Sequence, residues 1–351
     1  MIRIIVALIA FSLFPGQARS EEPAVLRDPR EVHLANLKQL TFGGENAEAY
    51  FSADAEKIIF QSTREPYGCD QIYMMNVDGS DVKLLSTGKG ATTCSFLFPD
   101  GKRFLYASTH LGGDACPPEP DRSRGYVWPL FPSYDIFTAA LEEGGRAGAL
   151  TRLTTTERYD AEGAVSPDGK TIVFTSLRGG DLDLYSMNVD GSGLRRLTDR
   201  EGFDGGPFFS WDGKYIVYRS HYPDEDEDMS DYRSLLARDL MRPRRAEIHV
   251  MNADGSGQTR VTDSGHANWS PFMHPDGERI IFSSNRHDEQ GRTFSLYLVN
   301  RDGTGTERIT YGARFDSFPM FSRDGKKLVW SSTRNAKGPH EFNIFIADWR
   351  D

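Results

Sequence analysis

The side chains able to do chemistry recur at matched places along the chain. Asn46, Thr92, Asp160, Asp204, Asn268 and Asp316 are separated by 46, 68, 44, 64 and 48 residues. Four of them have an arginine in fixed register downstream: Arg64, Arg178, Arg286 and Arg334. An Asp facing an Arg in this way is a structural ion pair that satisfies charge, which is the expectation for Asp160 and Asp316. Two positions depart from the rule, because Thr92 is matched with His110 and Asp204 with Tyr222 beside His221. Together with Glu162 these residues form the candidate binding set: His110, Asp160, Glu162, Asp204, His221, Tyr222 and Asp316. An imidazole among carboxylates can move protons, and carboxylates with carbonyl oxygens can hold a Ca²⁺ ion in a central channel. A ring of Glu48, Asp160, Glu162, Asp204 and Asp316 would favour cationic groups such as a free amine.

Motifs for several established chemistries are missing. No Gly-x-Ser-x-Gly nucleophile elbow occurs, and Ser192 and Ser256 sit in Asp-Gly-Ser-Gly turns instead. His-Glu-x-x-His and phosphate-loop patterns are absent as well. Three scattered cysteines, Cys69, Cys94 and Cys116, do not supply a four-ligand zinc site. In an oxidising compartment they give one disulfide and one free thiol; the expected bond joins Cys69 to Cys94, with a Cys116, His110 and Asp114 metal site as the alternative. No other cofactor is expected.

The matched residues lie in a repeat of four short strands. The clearest copy runs from Tyr159 through Ser166-Pro167-Asp168-Gly169-Lys170, Thr171 to Ser176 and Asp183 to Gly191, ending at Leu197-Thr198. β-Branched and aromatic residues fill the strands, and Asp-Gly pairs supply the positive backbone angles of tight hairpins. The base period of 44 fits one four-stranded propeller blade. The fold class is therefore all-β: a six-bladed β-propeller with four-stranded blades. The strand Leu37 to Thr41 precedes the first blade and the last repeat lacks its fourth strand, so the N-terminal strand closes the last blade.

The two long gaps are insertions between second and third strands, His110 to Ser133 in the second blade and His221 to Arg245 in the fourth. Both belong to one face, where long loops on a rigid scaffold build binding sites. The first carries Tyr126, Trp128 and Phe131, either folded back on the propeller or forming a wall for a ligand. The second is expected to contain a short helix, capped by Ser230, with Tyr232, Leu235, Leu236 and Leu240 on its apolar side; it is either a lid or a surface helix.

Residues 1–20 read as a secretory signal: Arg3, an apolar run from Ile4 to Phe14, and small residues before a cut after Ser20. The run is too short to span a bilayer, so no membrane span is expected. Losing Arg3 and Arg19 with it moves the formal charge from -10 to -12, which argues against a nucleic-acid partner. Residues 21–36 read as a leader and 37–351 as the propeller. The protein is expected to be periplasmic or secreted.

The Ser166 to Gly191 pattern, repeated along residues 37–351, resembles the WD40-like PD40 repeats of TolB-like propellers and of propellers joined to peptidases. That resemblance implies a monomeric periplasmic propeller that captures a protein or peptide, envelope proteins included, at its central mouth without catalysis. The alternative is a hydrolase or lyase, or a peptidase-associated propeller, with its site at the mouth using His110 and His221.

Overall fold

A computed structural model describes residues 26–123, 125–223, 226–243 and 245–351. The expected signal segment, and Asp224 and Glu225 of the second insertion, lie outside them. Six four-stranded antiparallel sheets follow one another along the chain. Their innermost strands are Glu45–Phe51, Thr92–Leu97, Asp160–Val165, Phe203–Phe209, Asn268–Met273 and Asp316–Phe321. The outermost strand of the sixth blade is Leu34–Gln39, paired antiparallel with Asn343–Trp349. The expected closure by the N-terminal strand is thus the observed one, and it leaves no open sheet edge at the join.

The repeat alignment holds residue by residue. Asn46, Thr92, Asp160, Asp204, Asn268 and Asp316 each pair with the serine of the second strand, Ser62, Ser108, Ser176, Ser220, Ser284 and Ser332. Their backbone N–H groups also stitch blade to blade, donating to the carbonyls of Phe342, Asp70, Tyr134, Leu182, Ala246 and Phe294 at 2.9–3.1 Å. This ring of bonds is why polar residues recur there: each sits where two blades meet and needs a partner. The core between blades is aliphatic and aromatic, with Phe60, Tyr106, Phe174, Tyr218, Phe282 and Trp330 fully buried at equivalent second-strand positions.

Ordered structure begins before residue 37. Glu31 is buried and ion-paired with Arg334, which also donates to the Leu26 carbonyl at 2.9 Å. The expected leader is therefore partly built into the sixth blade.

The two insertions meet. Trp128–Pro129 from the second blade pairs antiparallel with Leu240–Met241 from the fourth, and Leu130 N–H donates to the Asp239 carbonyl at 2.7 Å. The helix Asp226–Leu236 starts upstream of Ser230, which lies inside it rather than at its cap. Leu240 belongs not to the helix but to the strand paired with Trp128–Pro129, and these two strands form a small roof. Tyr232, Leu235 and Leu236 are buried, and Tyr232 donates to Asp181 at 2.5 Å, fixing the helix to the third blade. Among the described residues no helix is long and apolar enough to cross a membrane.

Candidate functional site

The site is built from one irregularity repeated six times. Each innermost strand carries a β-bulge two residues after its matched position (Asn46, Thr92, Asp160, Asp204, Asn268 or Asp316), where two residues oppose one on the neighbouring strand. The bulge residues are Glu48, Cys94, Glu162, Gly206, Ser270 and Phe318, all with φ between 49° and 59°. Five of the six are not glycine, so the left-handed backbone is imposed by the bulge in every blade rather than by residue type. All six line one constriction on the axis.

The single glycine has a steric reason. A Cβ on Gly206 would lie 2.2 Å from Nη1 of Arg219, so the missing side chain makes room for that guanidinium. Arg219 is buried, ion-paired with Glu162, and packed between the rings of Trp128 and Phe203 at 5.5 and 5.3 Å. Glu162 also accepts hydrogen bonds from Thr175 Oγ1 and the Gly206 N–H, each at 2.7 Å. Its charge is satisfied.

Glu48 is in a different state. Its Oε2 is shut off from solvent with no hydrogen-bond partner. Burial pushes its carboxyl up to about 7; Glu162 and Asp70 add to the rise, while the Cys94 thiol and Arg219 oppose it. Burial also raises Asp70, to about 6, against hydrogen bonds from Thr63 and Gln61 at 2.5 and 2.8 Å, with Glu45 reinforcing the rise. The Cys94 thiol is pushed up first by burial and then by Glu48 and Glu162, so it is a protonated thiol rather than a nucleophile.

Above the ring, the roof and all six blades line a chamber of about 480 Å³. Trp128, Phe131, Tyr134, Tyr159, Phe203 and Trp269 supply aromatic walls, and Glu45, Glu48, Asp70 and Glu162 its carboxylates. Below the ring the axis is plugged: Tyr50 of the first blade meets Phe208 of the opposite fourth blade at 5.1 Å, and Phe208 meets Phe272 at 5.6 Å. Beside the roof, a side portal of about 320 Å³ passes under Pro117 to Pro120 and shares Glu45, Asp70, Phe131 and Tyr134 with the chamber. The chamber thus has a roof, a closed floor and a lateral opening.

The disulfide holds that opening. Cys69 bonds to Cys116, not to Cys94 as expected, and ties the second-blade insertion to the first blade. Cys94 is the free thiol, because its bulge carries it to the axis while Cys69 stays in a rim loop.

Of the expected binding set, Glu162 lines the chamber and the others do not; Glu48 of the expected acidic ring lines it as well. Asp160 is fully buried against Arg178 at 2.9 Å and Thr156 at 2.6 Å. Asp316 accepts from Trp330 Nε1 at 3.1 Å and lies 3.6 Å from Arg334. Asp204 accepts from Ser220 and Tyr222 at 2.5 and 2.8 Å, and burial raises its carboxyl to about 7. These three carboxylates belong to blade joints rather than to an acidic ring. His110 contacts Ser108 at 2.9 Å and the Phe137 ring, and burial lowers its basicity. His221 and Tyr222 line a separate polar groove of about 430 Å³ on the fourth blade. Among the described residues, no three His, Cys, Asp or Glu converge as a metal cluster. Asp70, Arg219, Trp128 and Trp269 were not anticipated as a group. A second alignment column, two residues after the first, would have located the ring.

No protein-family model matches the chain. An uncharacterised protein of Agrobacterium fabrum is 26% identical over 205 residues, 53% of this chain and 63% of that protein. A Tol-Pal system protein TolB of Anaeromyxobacter dehalogenans is 26% identical over 185 residues, 49% of this chain and 36% of that protein. The matches therefore span less than two thirds of these relatives. Among solved structures, a putative TolB from Agrobacterium tumefaciens aligns with TM-score 0.57 at 19% identity, covering 90% of this chain and 97% of that one. TolB from Acinetobacter baumannii aligns with TM-score 0.56 at 18% identity, covering 88% and 64%. An oligogalacturonate lyase from Vibrio parahaemolyticus aligns with TM-score 0.52 at 14% identity, covering 89% and 93%. The chain has the six-bladed fold of TolB propellers.

Proposed function

We propose that this TolB-like propeller is an exported, non-enzymatic binding module that takes a peptide segment of a protein partner into its roofed mouth. The observation that carries the reading is the chamber: about 480 Å³, aromatic-walled, closed below and open at the side. That volume lies within the range of ligand pockets and suits a few side chains of an extended segment rather than a folded domain. Aromatic rings fixed in packed blades give contact area at little entropic cost. The reading requires no cofactor.

Export is supported by the signal-like residues 1–20 and by the Cys69–Cys116 bond, which belongs in an oxidising compartment. The relatives include a Tol-Pal system protein TolB, and the partner proposed here is an envelope protein, bound by a monomer. The enzyme alternative loses its residue basis, since neither His110 nor His221 lines the chamber. The test is capture of partners from the periplasm of the producing cell with the wild-type protein and with Trp128→Ala. A partner retained by the first and lost by the second is expected. Equal capture by both would refute binding under the roof.

A further inference from the structure

We infer that the chamber is a receptor for an ammonium group, gripped by Glu48 on its floor and Asp70 at its threshold beneath Trp128 and Trp269. The inference rests on the proposed peptide-binding role and names the group that the segment must present. Four carboxylates line the chamber against one guanidinium. Arg219 is committed to Glu162, so among the described residues Glu45, Glu48 and Asp70 have no further cation lining that space. Glu48 Oε2 is the decisive atom: a buried acceptor with no partner is costly, and an incoming N–H removes that cost.

The roof suits the same ligand. Trp128 and Trp269 meet at 5.5 Å, and the Trp128 ring already receives one cation, Arg219, at 5.5 Å. Aromatic faces attract cations most strongly where water is excluded. An anionic ligand would meet the opposite: repulsion from three carboxylates, with no free positive partner among the described residues that line the chamber.

Binding should be linked to protons. The groups facing Glu48 are Cys94, Glu162, Arg219 and Asp70, with Tyr50 and Tyr134; Asp70 faces Glu45, Gln61, Thr63 and Tyr134. At the portal, Arg122 is paired with Glu119. An ammonium favours the ionised carboxylates and so expels protons from them. Affinity therefore rises with pH through about 6 to about 7, the Asp70 and Glu48 values, until the ligand amine itself loses its proton.

The test is calorimetric titration between pH 5 and pH 8 with three probes. These are Ala-Phe amide with a free N-terminus, its N-acetyl form, and N-acetyl-Ala-Lys-Phe amide. One or both amine-bearing probes should bind at least tenfold more tightly than the acetylated neutral one, weaken below pH 6, and release protons; which one binds assigns a chain terminus or a lysine. Glu48→Gln should lower that affinity roughly 10- to 100-fold and flatten the pH profile. Asp70→Asn, folded by circular dichroism, should weaken it also. Equal binding of the acetylated probe, or an unchanged affinity in both variants, overturns the ammonium inference and leaves peptide binding intact. Failure of every probe, together with no captured partner, overturns both.

Discussion

The missing side chain of Gly206 offers the sharpest test of how the ring is built. Its φ is 59°, and a Cβ there would stand 2.2 Å from Nη1 and 3.0 Å from Cζ of Arg219. Gly101, in a surface hairpin, has φ 66° but nothing within 4 Å of its would-be Cβ. Gly101→Ala therefore reports the left-handed backbone alone, about 1 kcal/mol. Gly206→Ala adds displacement of a guanidinium that cannot swing into water, because Arg219 is buried between Trp128 and Phe203. Parting it from Glu162 breaks a buried ion pair, worth roughly 3–5 kcal/mol. The expected difference between the variants is thus about 3 kcal/mol, read from denaturant unfolding midpoints at equal slope. In a Glu162→Gln, Arg219→Met background the excess should vanish, since no pair remains to be broken. If Gly206→Ala and Gly101→Ala agree within about 0.5 kcal/mol in the wild-type background, the close-approach argument is wrong.

Four further outcomes are expected. Because the folded Glu48 carboxyl titrates near 7 rather than 4.5, the native state holds the extra proton between those values and stability falls as pH rises through them. Glu48→Gln should accordingly gain stability over the wild type, on the order of 1–3 kcal/mol at pH 8 and little at pH 5; an equal gain at both, by thermal unfolding, would contradict the assignment. Unreduced, unfolded protein should titrate one thiol, and peptide mapping should link Cys69 to Cys116. Glu31→Ala should destabilise by about 3 kcal/mol, by leaving buried Arg334 with Asp316 at 3.6 Å as its one remaining carboxylate among the described residues; an unchanged urea midpoint would show that residues before 37 do not hold the sixth blade. Trp128→Ala should preserve the unfolding midpoint within about 1 kcal/mol while lowering ligand affinity about tenfold in the same calorimetric titration.

The blade count, the turns, the register and the closing strand were legible in the sequence because their causes are local. In the hairpin at Asp168-Gly169, for example, Asp168 Oδ1 accepts from Ser166 Oγ at 2.6 Å and from the Lys170 N–H at 3.1 Å, all within a few residues. Such a turn means the same thing wherever it occurs, so six copies aligned without ambiguity. The pairs Asp160 with Arg178 and Asp204 with Tyr222 were legible for the same reason, being fixed by neighbouring strands of one sheet. The lengths of the insertions likewise marked the face that carries the mouth.

Glu48 and Glu162 were expected at the mouth, but which of the other side chains join them there was decided only by tertiary structure. A bulge turns Glu48, Cys94 and Glu162 to the axis while Asp160, Asp204 and Asp316, two residues earlier, remain in the joints between blades. The path of the second insertion, set by its pairing with the fourth, brings Cys116 rather than Cys94 to Cys69. Arg219 reaches Glu162 because two blades lie side by side and Gly206 leaves the gap. Contacts of this kind join residues tens of positions apart, and nothing in the local pattern of either partner encodes the distance between them.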